Sequence, residues 1–276
     1  MQQIARDASA QSPSLTIGRS DNFACKSPGK NPIVLLHGLF GSPQIELNEF
    51  EAWMRRQGYC TFAPFYGSYA PNIPILGGLK PISQSSKEIA AYIRDVLRRT
   101  GAAKIDLVGH SEGAFQVLYG PKFGGYASNV DNIVAIASPT HGTDLSRIYN
   151  LVNIIPGLNR QILRRILQTV GCGACADLVP QGEAVTRLND GRPIVQPGNT
   201  VTIITSRRDE IITPVETAFV NEPGVRNLFV QEYCPNDISG HVGEAYDYSV
   251  WQLARNAIER NYNRPIDCSS FVLPIR

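Results

Sequence analysis

Residues 104–113 read Lys104-Ile105-Asp106-Leu107-Val108-Gly109-His110-Ser111-Glu112-Gly113, and this stretch decides the fold. Its first half is a short apolar run that predicts a buried strand. Its second half is the pattern G-x-S-x-G. Ala114-Phe115-Gln116-Val117-Leu118-Tyr119 follows and can start a helix. Strand, sharp turn and helix form the setting in which this pattern holds a serine hydroxyl clear of a sheet. The flanking glycines fit, because a side chain there would collide with the neighbouring strand or helix. Alone, the pattern arises by chance too often to carry a conclusion, so the rest of the chain must support it.

Outward from this stretch, short apolar runs alternate with helical patterns. Ile33–Leu36 predicts a strand buried on both faces, ending in the Gly-rich turn His37-Gly38-Leu39-Phe40-Gly41-Ser42-Pro43. A helix is expected from about Glu46 to Gln57, then a strand over Tyr59–Ala63. Residues 66–82, rich in Gly, Pro and Tyr, read as a loop. Ser83–Thr100 predicts a helix with Ile89, Ile93, Val96 and Leu97 on one face, stopped by Gly101. Further strands are expected at Ile133–Ile136, Val201–Thr205 and Asn227–Val230, and a last helix from about Glu244 to Tyr262. This alternation predicts an α/β fold with a mostly parallel central sheet and helices on both faces. Such sheets carry their functional loops at the carboxyl ends of the strands. Residues 1–20, polar and Ser-rich, are expected to be a loosely held tail, with residues 21–276 forming one domain.

The 276 residues suffice for one large core. Hydrophobic residues make up 43% and charged residues 18%, which excludes a disordered chain. A net charge of +2, with no basic run, argues against nucleic acid as a partner. No segment approaches the roughly 18 consecutive apolar residues of a membrane span. Met1–Asp7 has no apolar signal core, so an exported chain would already have lost its signal, with Met1 foreign to the mature protein.

The cysteines are Cys25, Cys60, Cys172, Cys175, Cys234 and Cys268. They lack zinc-site spacing, so no metal is expected. Three structural disulfides in a secreted protein are the preferred reading. The expected pairs are Cys25–Cys60, Cys172–Cys175 and Cys234–Cys268, although six cysteines permit about fifteen pairings and spacing alone does not select one.

A serine hydroxyl needs a base to take its proton and an acid to orient that base. On this fold the chain order is nucleophile, acid, histidine. The histidines are His37, His110, His141 and His241. Only His241 follows Ser111 late enough; the competing reading is a surface-loop histidine. The acid should stand just past Val201–Thr205, where Asp209 lies. Glu210 is adjacent and Asp237 is nearer His241 in sequence, so both stay in contention. An exposed ion pair between Asp209 and Arg207 or Arg208 is the structural alternative, and would contribute little. Two backbone N–H groups should stabilise the oxyanion: Glu112, after the serine, and Leu39, in the turn past His37-Gly38.

Five segments in order, Ile33–Gly41, Lys104–Gly113, Ala137–Thr143, Ile203–Pro214 and Gln231–His241, resemble the secreted class 2 lipases and esterases of the α/β-hydrolase fold. The resemblance runs from about residue 25 to residue 268. It implies Ser111 as nucleophile, Asp209 as acid, His241 as base, the Leu39 and Glu112 amides as oxyanion hole, and an acyl-enzyme mechanism without a cofactor. Relatives usually carry Gln and Gly where this chain has Glu112 and Ala114. A carboxylate at Glu112 would raise the pKa of His241 if it pointed inward.

Segments 66–82 and 144–170 are candidates to cover the site. Phe40, Tyr66, Tyr69, Ile73, His141 and Ile211 are the expected substrate-binding side chains. Ile162, Leu163, Ile166, Leu167 and Val170 form an apolar stripe that suits either a lid at a lipid–water interface or ordinary core packing. Apolar loops favour an acyl chain over a sugar. The expected function is a secreted, monomeric carboxylester hydrolase acting on ester or lipid substrates. A polyester hydrolase or acyltransferase on the same site is the alternative, and a non-catalytic binding module is disfavoured because Ser111 and His241 are both present.

Overall fold

A computed structural model describes residues 21–42, 46–69, 76–144, 146–147 and 171–269. Six parallel strands form the sheet: β1 (Ile33–Leu36), β2 (Thr61–Phe62), β3 (Ile105–His110), β4 (Val130–Ile136), β5 (Thr200–Thr205) and β6 (Arg226–Phe229). Their spatial order is β2-β1-β3-β4-β5-β6. The chain therefore steps from β1 out to one edge, returns beside β1 as β3, and then proceeds to the other edge. The order reverses between β1 and β3, the kind of switch point at whose strand carboxyl ends parallel sheets bind ligands.

Among the described residues the helices are α1 (Asn48–Arg56), α2 (Ile82–Thr100), α3 (Glu112–Phe123), α4 (Gly173–Asp177), α5 (Glu183–Leu188) and α6 (Tyr248–Ile258). Alternation along each strand sends neighbouring side chains to opposite faces. Val34 and Leu36 of β1 pack with Ile89, Ile93 and Val96 of α2 and Phe115 of α3. Ile33 and Leu35 pack instead with Phe50, Trp53 and Met54 of α1 and with Val250, Trp251 and Leu253 of α6. Each such large side chain stabilises the fold by about 1.5–3 kcal/mol when fully buried. Two cores thus clamp the sheet, and continuous apolar strands follow from burial on both faces.

Two expected boundaries are corrected. The last helix begins at Tyr248, not near Glu244, because Asp247 caps it by accepting the Ser249 N–H at 2.6 Å. Gly243–Ala245 is a separate 3₁₀ turn. The second strand is shorter than expected, with only Thr61 and Phe62 paired to β1. The sulfurs of Cys25 and Cys60, Cys172 and Cys175, and Cys234 and Cys268 are bonded. The tail of residues 1–20, Ile73 and the apolar stripe of 161–170 lie outside the described residues. No described helix is long and apolar enough to cross a membrane.

Candidate active site

Ser111 stands between the end of β3 and the start of α3 with φ 56° and ψ −121°. That left-handed conformation costs a non-glycine residue about 1–3 kcal/mol and persists only where its surroundings enforce it. The enforcement is close packing. A Cβ on Gly109 would lie 2.2 Å from the Gly113 carbonyl oxygen, and one on Gly113 would lie 2.1 Å from that of Leu36. The helix can turn back over the strands only because both positions are glycine. The Ser111 amide donates to Ile136 at 2.9 Å, fixing the turn to β4.

The Ser111 hydroxyl lies 2.8 Å from Nε2 of His241. Nδ1 of the same ring lies 2.8 Å from Oδ2 of Asp209. The other Asp209 oxygen, Oδ1, accepts the N–H groups of Ile211 and Ile212 at 2.8 and 2.9 Å. These bonds fix the carboxylate plane, and the carboxylate fixes the imidazole with its proton on Nδ1 and its lone pair towards Ser111. Burial by itself would lower the pKa of His241, but contact with Asp209, aided by Glu210 and Glu46, raises it above the ordinary value. The arrangement can draw a proton from Ser111 and hold the resulting imidazolium beside a carboxylate.

The three candidate acids are thereby separated. Asp209 touches the imidazole. Glu210 accepts the His241 backbone N–H at 3.0 Å through Oε2 and so holds the loop. Asp237 is occupied by Ser239, whose N–H it accepts at 2.9 Å.

The turn after β1 closes over the serine. A Cβ on Gly38 would come within 3.0 Å of the Ser111 Cβ. Gly38 donates its N–H to the Glu46 carboxylate, 2.8 and 2.9 Å from its two oxygens. Among the described residues nothing accepts the Leu39 N–H. Glu112 is the first residue of α3, so its amide has no acceptor within the helix. The two expected oxyanion donors therefore lie one residue past Gly38, in the turn that packs on Ser111, and at the first position of α3, directly after Ser111.

Glu46 and His110 are site residues that sequence reading missed. Nδ1 of His110 lies 2.5 Å from Glu46 Oε1, and its Nε2 lies 2.8 Å from the His241 carbonyl oxygen. This pair ties the turn after β1 to the histidine loop. The sequence held one signal, a histidine next to the serine, but its partner lies 64 residues away.

The expected substrate-binding side chains are dispersed. Tyr69 is 41% exposed. Phe40, Tyr66 and Ile211 are buried. The Tyr66 ring stacks on His37 at 4.2 Å, with its hydroxyl 2.5 Å from the His37 carbonyl oxygen and 2.9 Å from Glu112 Oε2. His141 bonds through Nε2 to the Phe219 carbonyl and lines a surface hollow of about 690 Å³ with Ile194, Val195 and Val220. Neither Ser111 nor His241 lines that hollow.

The sequence model of the family described as Lipase (class 2) matches residues 30–250. The chain belongs to the class 2 lipase family. A triacylglycerol lipase of Pseudomonas fragi is 25% identical to this class 2 lipase relative over 127 residues, 46% of the present chain and 40% of the other. Aspergillus fumigatus lipase B superposes with a TM-score of 0.62 at 19% identity, covering 87% of this chain and 55% of that one. A metagenome-derived lipolytic enzyme superposes at 0.57 and 16% identity, covering 84% and 94%. The chain thus spans about half or less of the length of the first two. At these identities the structural likeness shows the α/β-hydrolase fold alone.

The Glu112 side chain is fully buried. It accepts from Gln116 Nε2 at 2.9 Å and meets the Tyr66 hydroxyl at 2.9 Å. Asp209, Glu210 and Glu46 are the leading groups that raise His241. Burial pushes the Glu112 carboxyl up to about 8, against the partial relief of the Gln116 and Tyr66 contacts.

Proposed function

We propose that this chain is a serine carboxylester hydrolase of lipase or esterase type, working through an acyl-enzyme. The observation that carries the reading is the buried relay from Asp209 through His241 to Ser111, at 2.8 Å for each step. His241 takes the hydroxyl proton as Ser111 Oγ attacks the ester carbonyl. The Leu39 and Glu112 amides receive the charge on the carbonyl oxygen. His241⁺ then protonates the departing alcohol, and water repeats the sequence to free the acid. Tyr69 and Phe40 are the described side chains assigned to the acyl group. Membership in the class 2 lipase family supports a lipid ester as substrate. Three disulfides support an exported enzyme, since such bonds persist in oxidising compartments.

The test is labelling with a fluorophosphonate probe, followed by assays on p-nitrophenyl esters from acetate to palmitate. Wild-type protein should label and hydrolyse, and Ser111→Ala should do neither. Labelling or turnover that survives Ser111→Ala would sink the mechanism. The chain length giving the highest rate separates esterase from lipase.

A further inference from the structure

The buried carboxyl of Glu112 has no part in the relay, yet it lies beneath the turn that carries Leu39. Its contacts allow a count of protons. The Tyr66 hydroxyl approaches two oxygens, the His37 carbonyl at 2.5 Å and Glu112 Oε2 at 2.9 Å. Each oxygen–oxygen contact at such distances needs a hydrogen between its atoms. Tyr66 brings one. The His37 carbonyl has none to give, so Tyr66 donates there. The second must come from Glu112. Its other oxygen, Oε1, accepts from Gln116, whose amide also donates to the Ile82 carbonyl at 3.2 Å. A carboxylic acid with its hydrogen on Oε2 satisfies every contact; a carboxylate leaves one repulsive.

We propose that Glu112 is a neutral acid that positions the oxyanion turn through the chain Glu112 to Tyr66 to the His37 carbonyl. This rests on the serine-hydrolase reading above. His37 directly precedes Gly38 and Leu39, so a hydrogen bond at its carbonyl sets the direction of the peptide leading to the Leu39 amide. The far side of the same turn is held by Gly77, which accepts from Phe40 and donates to Gly41. Neutrality has a second effect. A carboxylate one residue from the serine would oppose the negative charge that develops on the substrate oxygen.

The charged and titratable groups around Glu112 favour this state. Glu46, from the loop after β1, and Asp177, from α4, both raise its pKa. Burial keeps His37 neutral by lowering its pKa, and holds Tyr66 protonated well above its ordinary range. His110 contacts Glu46 and the His241 carbonyl, and His241 contacts Asp209 and Ser111, so neither ring is committed to Glu112. The described surroundings thus supply no cation in contact with a Glu112 carboxylate.

Ionisation of Glu112 would put two acceptors on the single Tyr66 hydrogen and loosen the turn. Turnover should therefore fall as pH rises through about 8, the value to which burial brings this carboxyl. The experiment measures kcat and KM across pH on a short-chain ester by alkali titration, for wild type, Glu112→Gln and Tyr66→Phe. Wild-type kcat at about pH 9.5 should be at least about fivefold below its value at about pH 7. Glu112→Gln carries an amide that donates to Tyr66 and accepts from Gln116 at every pH, so its ratio between the two conditions should stay within about twofold. Tyr66→Phe keeps the ring against His37 but cuts the chain; kcat should drop about tenfold at neutral pH with KM changed less than about twofold. Parallel alkaline limbs in wild type and Glu112→Gln would overturn the proposal, as would a Tyr66→Phe effect confined to KM. An infrared difference spectrum between wild type and Glu112→Gln reads the proton without catalysis. The protonated-carboxyl stretch should be present near neutral pH and vanish above about pH 9. Its absence at neutral pH sinks the neutral acid even if the chain hydrolyses esters, whereas turnover surviving Ser111→Ala sinks the enzymatic reading and leaves the band untouched.

Discussion

His241 is committed at four points: both ring nitrogens, the backbone N–H on Glu210 and the carbonyl on His110. Held this way, the imidazole keeps Nδ1 on Asp209 and turns Nε2 towards the Ser111 hydroxyl, the tautomer that the proposed mechanism needs. Because Asp209 raises its pKa against the lowering effect of burial, the imidazole protonates at a higher pH than a free histidine. The protonated ring cannot act as base, so kcat/KM should fall as pH drops, with a midpoint above the ordinary 6.5. Asp209→Asn removes the partner that favours the charged ring. Its turnover should fall about a thousandfold or more, and its acid limb should move to lower pH. A pH–rate profile of both proteins checks the loss and the direction together. An unchanged rate in the variant would transfer the role to another carboxylate, and Glu210 is the nearest.

At the scale of elements, the β3–turn–α3 unit works by proximity. Gly109 and Gly113 are required for contact, since their backbone lies where any side chain would stand. Gly113→Ala drives a methyl into the carbonyls of Leu36 and His37, 2.1 and 2.5 Å away. Overpacking of this kind costs about 1–3 kcal/mol. Urea unfolding should detect that loss, and activity should fall more than stability because Leu36 and His37 lead into the oxyanion turn. This unit was readable in sequence, since its strand, serine, glycines and helix are contiguous. The helix starting at Tyr248 was misread by four residues because Asp247 acts as its cap through a single side-chain bond. Apolar periodicity upstream of a cap looks no different from periodicity inside a helix.

Across the whole molecule, three disulfides lock segments at different ranges. Cys25–Cys60 and Cys234–Cys268 span 35 and 34 residues, and Cys172–Cys175 spans 3. Loop-closure entropy predicts that losing either long bridge costs about 4 kcal/mol, and losing the short one about 1.5 kcal/mol. Thermal melts of paired Cys→Ala variants should follow that order. The Cys234–Cys268 variant should also lose turnover, because the loop that begins at Cys234 carries His241. Equal melting temperatures for all three pairs would show that loop closure is not what these bridges supply.

The sequence by itself determined the strand–helix alternation, the buried parallel sheet, the positions of Ser111 and His241, and a short set of candidate acids. Those follow from local apolar patterns and from chain order on such a sheet, which a linear reading preserves. Only the tertiary structure decided which acid meets His241, what Glu112 touches, and that Glu46 and His110 link two loops. Each of those depends on side chains brought together from distant parts of the chain, and on which of them lose water. The sequence placed a carboxyl next to the serine; the packing of Tyr66, Gln116 and His37 around it made that carboxyl part of the core.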